Sequence, residues 1–157
     1  MQDLPDYGYA GARALVALHD RHLRSCMSIW EQALAAGVSM PETEDPDYAS
    51  IEALGVHVLA CARHYMEWCC EMLELPDPGI EAPPTPETIA TSGRDYLEHV
   101  LERWRTPLAK PLPEAFEAKD HRSRWGRLYS IDAMLEHAVM HPIRHQFQME
   151  NWLVARR

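Results

Sequence analysis

The sequence lacks long apolar runs and is poor in basic residues. No stretch approaches the about 20 consecutive apolar residues that a membrane-spanning helix needs. Its 15 lysines and arginines are outnumbered by 24 acidic residues, and a net charge of −9 disfavours binding to nucleic acid or to an anionic membrane surface. The acidic segment 1–6 has neither the basic nor the apolar region of a signal peptide. We therefore expect a cytoplasmic protein that binds neither nucleic acid nor membrane.

Cysteine occurs four times, and its spacing excludes two common uses. No two of the four cysteines form a C-x-x-C pair, so the sequence has neither a disulfide framework nor a zinc ribbon. We expect the cysteines to behave as small buried apolar residues. Only Cys61 lies close in sequence to other candidate site residues.

Helical periodicity covers most of the chain, while alternating strand-like runs, nucleotide-binding glycine loops and internal repeats are missing. The 157 residues suffice for a single domain with a buried core. Thr85 and Ser130 are suitable N-caps for the third and fourth helices. The sequence predicts an all-α fold, a four-helix bundle with long connections. The predicted helices are Tyr9–Ala36, Ala49–Leu75, Pro86–Arg105 and Ile131–Arg157.

Two connections carry concentrated charge. The first, Val38–Tyr48, is acidic and includes Asp47, but it lacks the glycine and ligand spacing of a calcium-binding loop, so we interpret it as a solvated linker. The second, Lys110–Tyr129, is the longest irregular segment, and such loops often act as lids or binding loops. Its arginines are either a solvated basic cluster or a site for an anionic substrate group. They are Arg122, Arg124 and Arg127.

Histidine spacing in the fourth predicted helix points to a metal site. His137, His141 and His145 recur at intervals of four, and residues four apart share one helix face. Two imidazoles at that spacing can bind one ion, with Zn–N distances of about 2.0–2.1 Å. Two pairs are possible, His137 with His141 or His141 with His145. Pro142 lies between the last two histidines and is expected to kink the helix.

Histidines on two other predicted helices are further candidates. His57, Cys61 and His64 share one face of the second helix, at spacings of four and three. His57 can point at an ion from there, although ordinary core or surface packing explains its position equally well. His19 lies beside the apolar stripe of the first helix, and we expect it at the edge of the core or in solvent.

Familiar metal motifs of helical proteins are absent. There is no Glu-x-x-His of the di-iron bundles, no His-x-x-x-Glu of the hemerythrin type and no His-Glu-x-x-His of the zinc proteases. Among the metal sites of helical bundles, the remaining possibility is a site for a single ion whose ligands are mainly histidines. One histidine from the second helix and a pair from the fourth would leave a position open for water or a substrate thiol.

The segment Tyr129–Gln148, together with the order and lengths of the helices, resembles the DinB/YfiT-like superfamily of bacterial four-helix metalloproteins. In that family a histidine, three residues and a second histidine are commonly followed by Arg-Gly-Gln. His141, His145 and Gln148 match this pattern, whereas the two residues before Gln148 differ from the family's Arg-Gly. Residues 54–60 look like the family's helix-two segment.

The resemblance implies a site, a topology and partners. It implies one divalent ion, zinc or nickel before iron, copper or manganese, in a homodimeric protein with an up-down-down-up helix order. The implied ligands are His57, His141 and His145. Four further residues become neighbours of the ligands or of a pocket beside them: His137, Cys61, His64 and Gln148.

Two classes of function follow from the resemblance. Some relatives use low-molecular-weight thiols such as mycothiol or bacillithiol, and many have no known activity. The first expectation is a metal-dependent enzyme, a thiol transferase or hydrolase that acts on a small molecule. The alternative is a non-enzymatic, metal-binding stress-response protein that works through dimerisation. The sequence assigns no catalytic base.

Overall fold

The computed structural model describes residues 4–118 and 121–155. Residues 1–3, 119–120 and 156–157 lie outside the described part, and with them the start of the acidic N-terminal segment and the predicted end of the fourth helix. The described residues are mostly helical, as predicted, with α1 (Ala10–Ala35), α2 (Ile51–Met72), α3 (Ile89–Trp104), a short α4 (Pro113–Glu117) and α5 (Ile131–Ala155). None of these helices is both long and apolar enough to cross a bilayer.

The hydrophobic core lies between the long helices. α1 packs mainly against α5, and α2 lies against both α3 and α5. The apolar faces of these helices meet in one cluster of buried side chains, as their helical spacing predicts. Among the largest fully buried side chains are Leu23, Leu54, Met66, Trp104 and Leu135. α2 and α5 therefore face each other across the interior.

Local chemistry explains three of the helix ends. Gly37 follows α1 with a φ of 60°, the left-handed conformation in which glycine commonly ends a helix. Ser130 caps α5, because its hydroxyl accepts a hydrogen bond of 3.1 Å from the Ala133 N–H. Ser50 caps α2 in the same way, through the Ala53 N–H. The capping role predicted for Ser130 is confirmed.

The N-cap predicted at Thr85 is wrong, since α3 begins only at Ile89. The Thr85 N–H donates a hydrogen bond of 3.1 Å to the Thr88 hydroxyl oxygen, which in turn donates to the Thr85 carbonyl. These local bonds close residues 85–88 into a turn. Threonine side chains of this kind compete with the backbone bonds of a helix, which explains the later start.

The segment 110–129 is more ordered than the sequence predicts. It contains α4 and an antiparallel hairpin of β1 (His121–Arg122) and β2 (Leu128–Tyr129), in which His121 pairs with Tyr129. Gly126 turns the hairpin with a φ of 85°. The prediction of an irregular segment without strands is wrong here, because two-residue strands are too short to show alternation.

The expectation for His19 is also wrong. Only 1% of its surface is exposed, and its ring stacks on the Trp104 indole with centroids 3.7 Å apart and planes 9° from parallel. The Trp104 N–H donates to the Ala62 carbonyl at 3.0 Å, which fixes the indole so that its flat face is available. A flat imidazole fits that face better than an aliphatic side chain does.

Candidate metal centre

Three imidazole nitrogens from two helices converge in the interior. His57 comes from α2, and His141 and His145 come from consecutive turns of α5. The Nε2 atom of His141 lies 3.0 Å from Nε2 of His57 and 3.2 Å from Nε2 of His145. All three possible ligand atoms lie within 4.8 Å of one another. The structure thus brings together the three histidines that the family resemblance implied as ligands.

A close helix contact positions His57. At Gly55, two residues earlier, a Cβ atom would lie 2.5 Å from the Trp30 indole nitrogen, so only glycine lets α2 approach α1 here. The Trp30 N–H donates to the Ile51 carbonyl at 2.6 Å, which fixes the indole against the first turn of α2. On the other side, α5 runs without interruption through Pro142. The predicted kink at that residue stays a prediction.

The outer nitrogens of two imidazoles are held by acceptors. Nδ1 of His57 lies 2.8 Å from a carboxylate oxygen of Asp47, and Nδ1 of His145 lies 2.9 Å from the amide oxygen of Gln148. Because a carboxylate and an amide oxygen accept hydrogen bonds, these contacts assign the proton of each ring to Nδ1. The Nε2 lone pairs of both rings then point into the cluster, as metal binding requires.

Asp47 is the functional residue that the sequence interpretation missed. Residues Pro46–Tyr48 form one 3-10 turn, and its N-cap Asp45 accepts a hydrogen bond of 3.0 Å from the Asp47 N–H. The next residue, Tyr48, places its hydroxyl 3.5 Å from Nδ1 of His145. The turn therefore reaches candidate ligands on both α2 and α5. An aspartate N-cap directly before a proline is the sequence signal for such a turn, and the concentration of acidic residues obscured it.

Burial keeps the α5 histidines neutral. Burial, together with the neighbouring His145 and His57 imidazoles, lowers the pKa of His141 to about 2. Burial and His57 lower the pKa of His145 to about 4, although Gln148 acts in the opposite direction. Because a protonated imidazole cannot bind a metal, these shifts favour the metal-binding form at neutral pH.

The cluster fits a transition-metal ion. Two nitrogens at about 2.0–2.1 Å from one tetrahedral ion stand about 3.4 Å apart. The observed separations of 3.0 and 3.2 Å are a few tenths of an ångström shorter than that. Three imidazole nitrogens, two of them on rings whose outer nitrogens are held by acceptors, form a donor set that suits zinc, nickel, copper and iron alike. The residues present therefore fit one divalent ion.

Two other predicted neighbours lie along α2. The Cys61 sulfur is 3.8 Å from Nε2 of His57, and burial, followed by the charge of Asp47, raises the pKa of this half-buried thiol to about 11. His64 lies one turn further along, and burial followed by the charge of Arg124 lowers its pKa. Both residues line a groove of about 390 Å³ that also reaches His57 and Asp47. This groove is open space beside one of the three converging rings.

His137 lies outside the converging set of nitrogens. Aromatic rings enclose it instead, with ring centroids at 5.5 Å for Tyr65, 5.6 Å for Trp125 and 6.3 Å for Tyr129. Tyr65 also contacts His141, at 5.7 Å between centroids. A series of ring contacts therefore connects His141 of the cluster to the hairpin, through Tyr65 and His137.

Within the described residues, the three predicted substrate-binding arginines do not contact the converging histidines. Arg122 donates to the Gly126 carbonyl at 2.9 Å, and Arg124 forms an ion pair with Glu67 at 3.6 Å. Arg127 is exposed. Among the described contacts none joins these arginines to a histidine of the cluster. The hairpin contacts His137, beside the cluster, through Trp125 and Tyr129.

No protein-family model matches the chain, and no curated protein or solved structure matches it either. Function is therefore argued from the chemistry of the site rather than from fold or relatives.

Proposed function

We propose that this chain is a DinB/YfiT-like metalloprotein, an up-down-down-up four-helix bundle that binds one divalent ion through His57, His141 and His145. One observation carries the proposal. Three Nε2 atoms meet between α2 and α5 while acceptors hold the outer nitrogens of two of the rings. Zinc and nickel are the first candidates, and iron, copper and manganese are alternatives.

We further propose that the site belongs to a cytoplasmic enzyme of the thiol S-transferase or hydrolase type that acts on a small molecule. A bound divalent ion would lower the pKa of a water or thiol at its open position, which provides a nucleophile at neutral pH. Three protein ligands leave such a position, as in catalytic rather than structural zinc sites. The aromatic rings beside His141 support an organic rather than a purely ionic ligand.

The protein's own residues have separate tasks in this proposal. Asp47 and Gln148 hold two imidazoles in the tautomer that binds metal and fix their orientation. Burial of His141 and His145 excludes water and keeps both rings neutral. Cys61 lies beside the three histidines, with its sulfur 3.8 Å from Nε2 of His57.

Thermal-shift measurements on metal-loaded protein test the enzymatic proposal. We expect one or more of mycothiol, bacillithiol, coenzyme A and glutathione to raise the melting temperature, because ligands that bind only the folded state stabilise it. Protein stripped of metal and the His57→Ala variant are the controls, and both should lose the effect. If no thiol shifts metal-loaded protein, the non-enzymatic alternative is favoured.

One observation favours the alternative, a metal-binding stress-response protein that acts as a homodimer. Three exposed apolar side chains repeat every seven residues along α5, so they lie on one helix face. Met140 is 57% exposed, Phe147 64% and Val154 66%. Such a stripe suits helix packing between two copies. Analytical ultracentrifugation should show a dimer that Phe147→Glu dissociates, and a monomeric wild type would argue against this function.

A further inference from the structure

An exposed cation flanks the three-histidine cluster. Arg144 is on α5, seven residues after His137 and three after His141, so it lies close to the edge of the helix face that His137 occupies. Its side chain is exposed. Burial, and then the positive charge of Arg144, lower the pKa of His137, which indicates that the guanidinium lies near that ring. Arg144 is thus placed beside the cluster and is still open to solvent.

Arg144 has no carboxylate partner in the described part of the chain. Other arginines form such pairs: Arg24 with Asp20, Arg94 with Glu31, and Arg63 with Glu67. Among the described contacts, Arg122 and Arg127 of the hairpin likewise form no ion pair with a carboxylate, but of these three arginines Arg144 alone is on the helix that carries His141 and His145. A guanidinium in this situation presents its hydrogen-bond donors to an external anion, and a carboxylate matches their planar geometry.

An exposed aromatic side chain also contacts His137. Trp125, at the tip of the hairpin, is 49% exposed, yet its ring is supported from behind by Tyr129 and by His137, each at 5.6 Å between centroids. Tyr65 also contacts His137, with ring centroids 5.5 Å apart. An indole that is held in place by rings on one side and open on the other suits stacking with a flat ligand.

From these two observations we infer that the edge of the cluster between Arg144 and Trp125 is a binding subsite for small aromatic carboxylates. Arg144 would bind the carboxylate, and the Trp125 ring would support the flat body of the ligand. The subsite names the substrate class of the proposed metal site, and in that respect the inference rests on the proposed function. It also replaces Arg122, Arg124 and Arg127 as the expected anion-binding groups.

Isothermal titration calorimetry on zinc-loaded protein tests the subsite with 2-naphthoate and its neutral analogue 2-naphthamide. We expect 2-naphthamide to bind about tenfold or more weakly than 2-naphthoate, since charge-assisted hydrogen bonds are lost. Arg144→Gln should weaken 2-naphthoate binding by a similar factor and leave 2-naphthamide unchanged. The matched control is Arg127→Gln, which removes an exposed arginine of the hairpin and should bind both ligands like the wild type.

Trp125→Leu separates the two halves of the subsite. It should weaken both ligands, because stacking does not depend on the carboxylate. The inference would be overturned if Arg144→Gln bound 2-naphthoate as tightly as the wild type does, or if the wild type bound both ligands equally. It would also be overturned if Trp125→Leu left both affinities unchanged, or if the wild type did not bind 2-naphthoate.

Elemental analysis of each sample separates failure of the subsite from failure of the proposed function. If protein incubated with zinc retains none of it but still binds 2-naphthoate in a way that depends on Arg144, the result supports the subsite and contradicts the metal site. If the protein contains one zinc ion per chain and Arg144→Gln binds 2-naphthoate as the wild type does, only the subsite is overturned.

Discussion

A carboxylate oxygen of Asp47 lies 2.8 Å from Nδ1 of His57. The two residues belong to different elements, a 3-10 turn in an acidic connection and the long helix α2. The contact fixes the orientation of the His57 ring and holds its proton on Nδ1, so that Nε2 is free to bind a metal. Asp47 thus links the loop to the candidate metal site.

We expect Asp47→Ala to weaken metal binding by about 10–100-fold, the usual effect of losing an acceptor behind a metal-binding histidine. Asp47→Asn keeps an acceptor oxygen but loses the charge, so its affinity should be intermediate. Competition with a chromophoric chelator measures each dissociation constant. Glu44→Ala removes a charge from the same connection without touching the site and is the matched control. Equal affinities for Asp47→Ala and Glu44→Ala would show that the contact has no role.

Gly55 should tolerate no side chain, because a Cβ atom there would lie 2.5 Å from the Trp30 indole nitrogen. Glycine-to-alanine changes inside helices usually stabilise by up to about 1 kcal/mol. Here overpacking, which costs about 1–3 kcal/mol, outweighs that gain. We therefore expect Gly55→Ala to lower the free energy of unfolding, measured by urea denaturation. A more stable Gly55→Ala variant would contradict the close contact of α1 and α2.

His19 should make stability fall in acid. Burial, and then the charge of His22, lower its pKa from 6.5 to about 3 in the folded protein, so the unfolded chain takes up a proton first. The stability that the neutral ring contributes is complete above about pH 6.5 and is lost as pH falls towards 3. His19→Phe keeps a flat ring against Trp104 and removes the titration. From pH 7 to pH 4 the free energy of unfolding falls in both proteins, and we expect the decrease to be about 1–3 kcal/mol smaller in His19→Phe than in the wild type. Identical pH profiles from urea denaturation would exclude this role.

Sequence periodicity predicted the long helices well, and the histidine spacing on α5 indicated a metal site, because both depend on contacts within one helix. The spacing left two histidine pairs possible, and the family resemblance selected His141 and His145. His57 required the family resemblance, since nothing local distinguishes a ligand on α2 from a packed histidine. The sequence did not predict that Asp47 and Trp125 lie near the α5 histidines, because each reaches them through tertiary structure. A short turn carries the first and a hairpin of two-residue strands the second. The stacking of His19 likewise depends on Trp104 of another helix.

Metal content of the purified protein is the most direct test of the central claim. The protein should be prepared without chelators or a histidine tag and analysed by elemental mass spectrometry beside the His57→Ala/His141→Ala variant, with circular dichroism to verify that both are folded. We predict about one divalent ion per wild-type chain and almost none in the variant, because three histidines share one ion. Full metal occupancy in the folded double variant, or a wild type that binds no added zinc or nickel, would contradict the assignment.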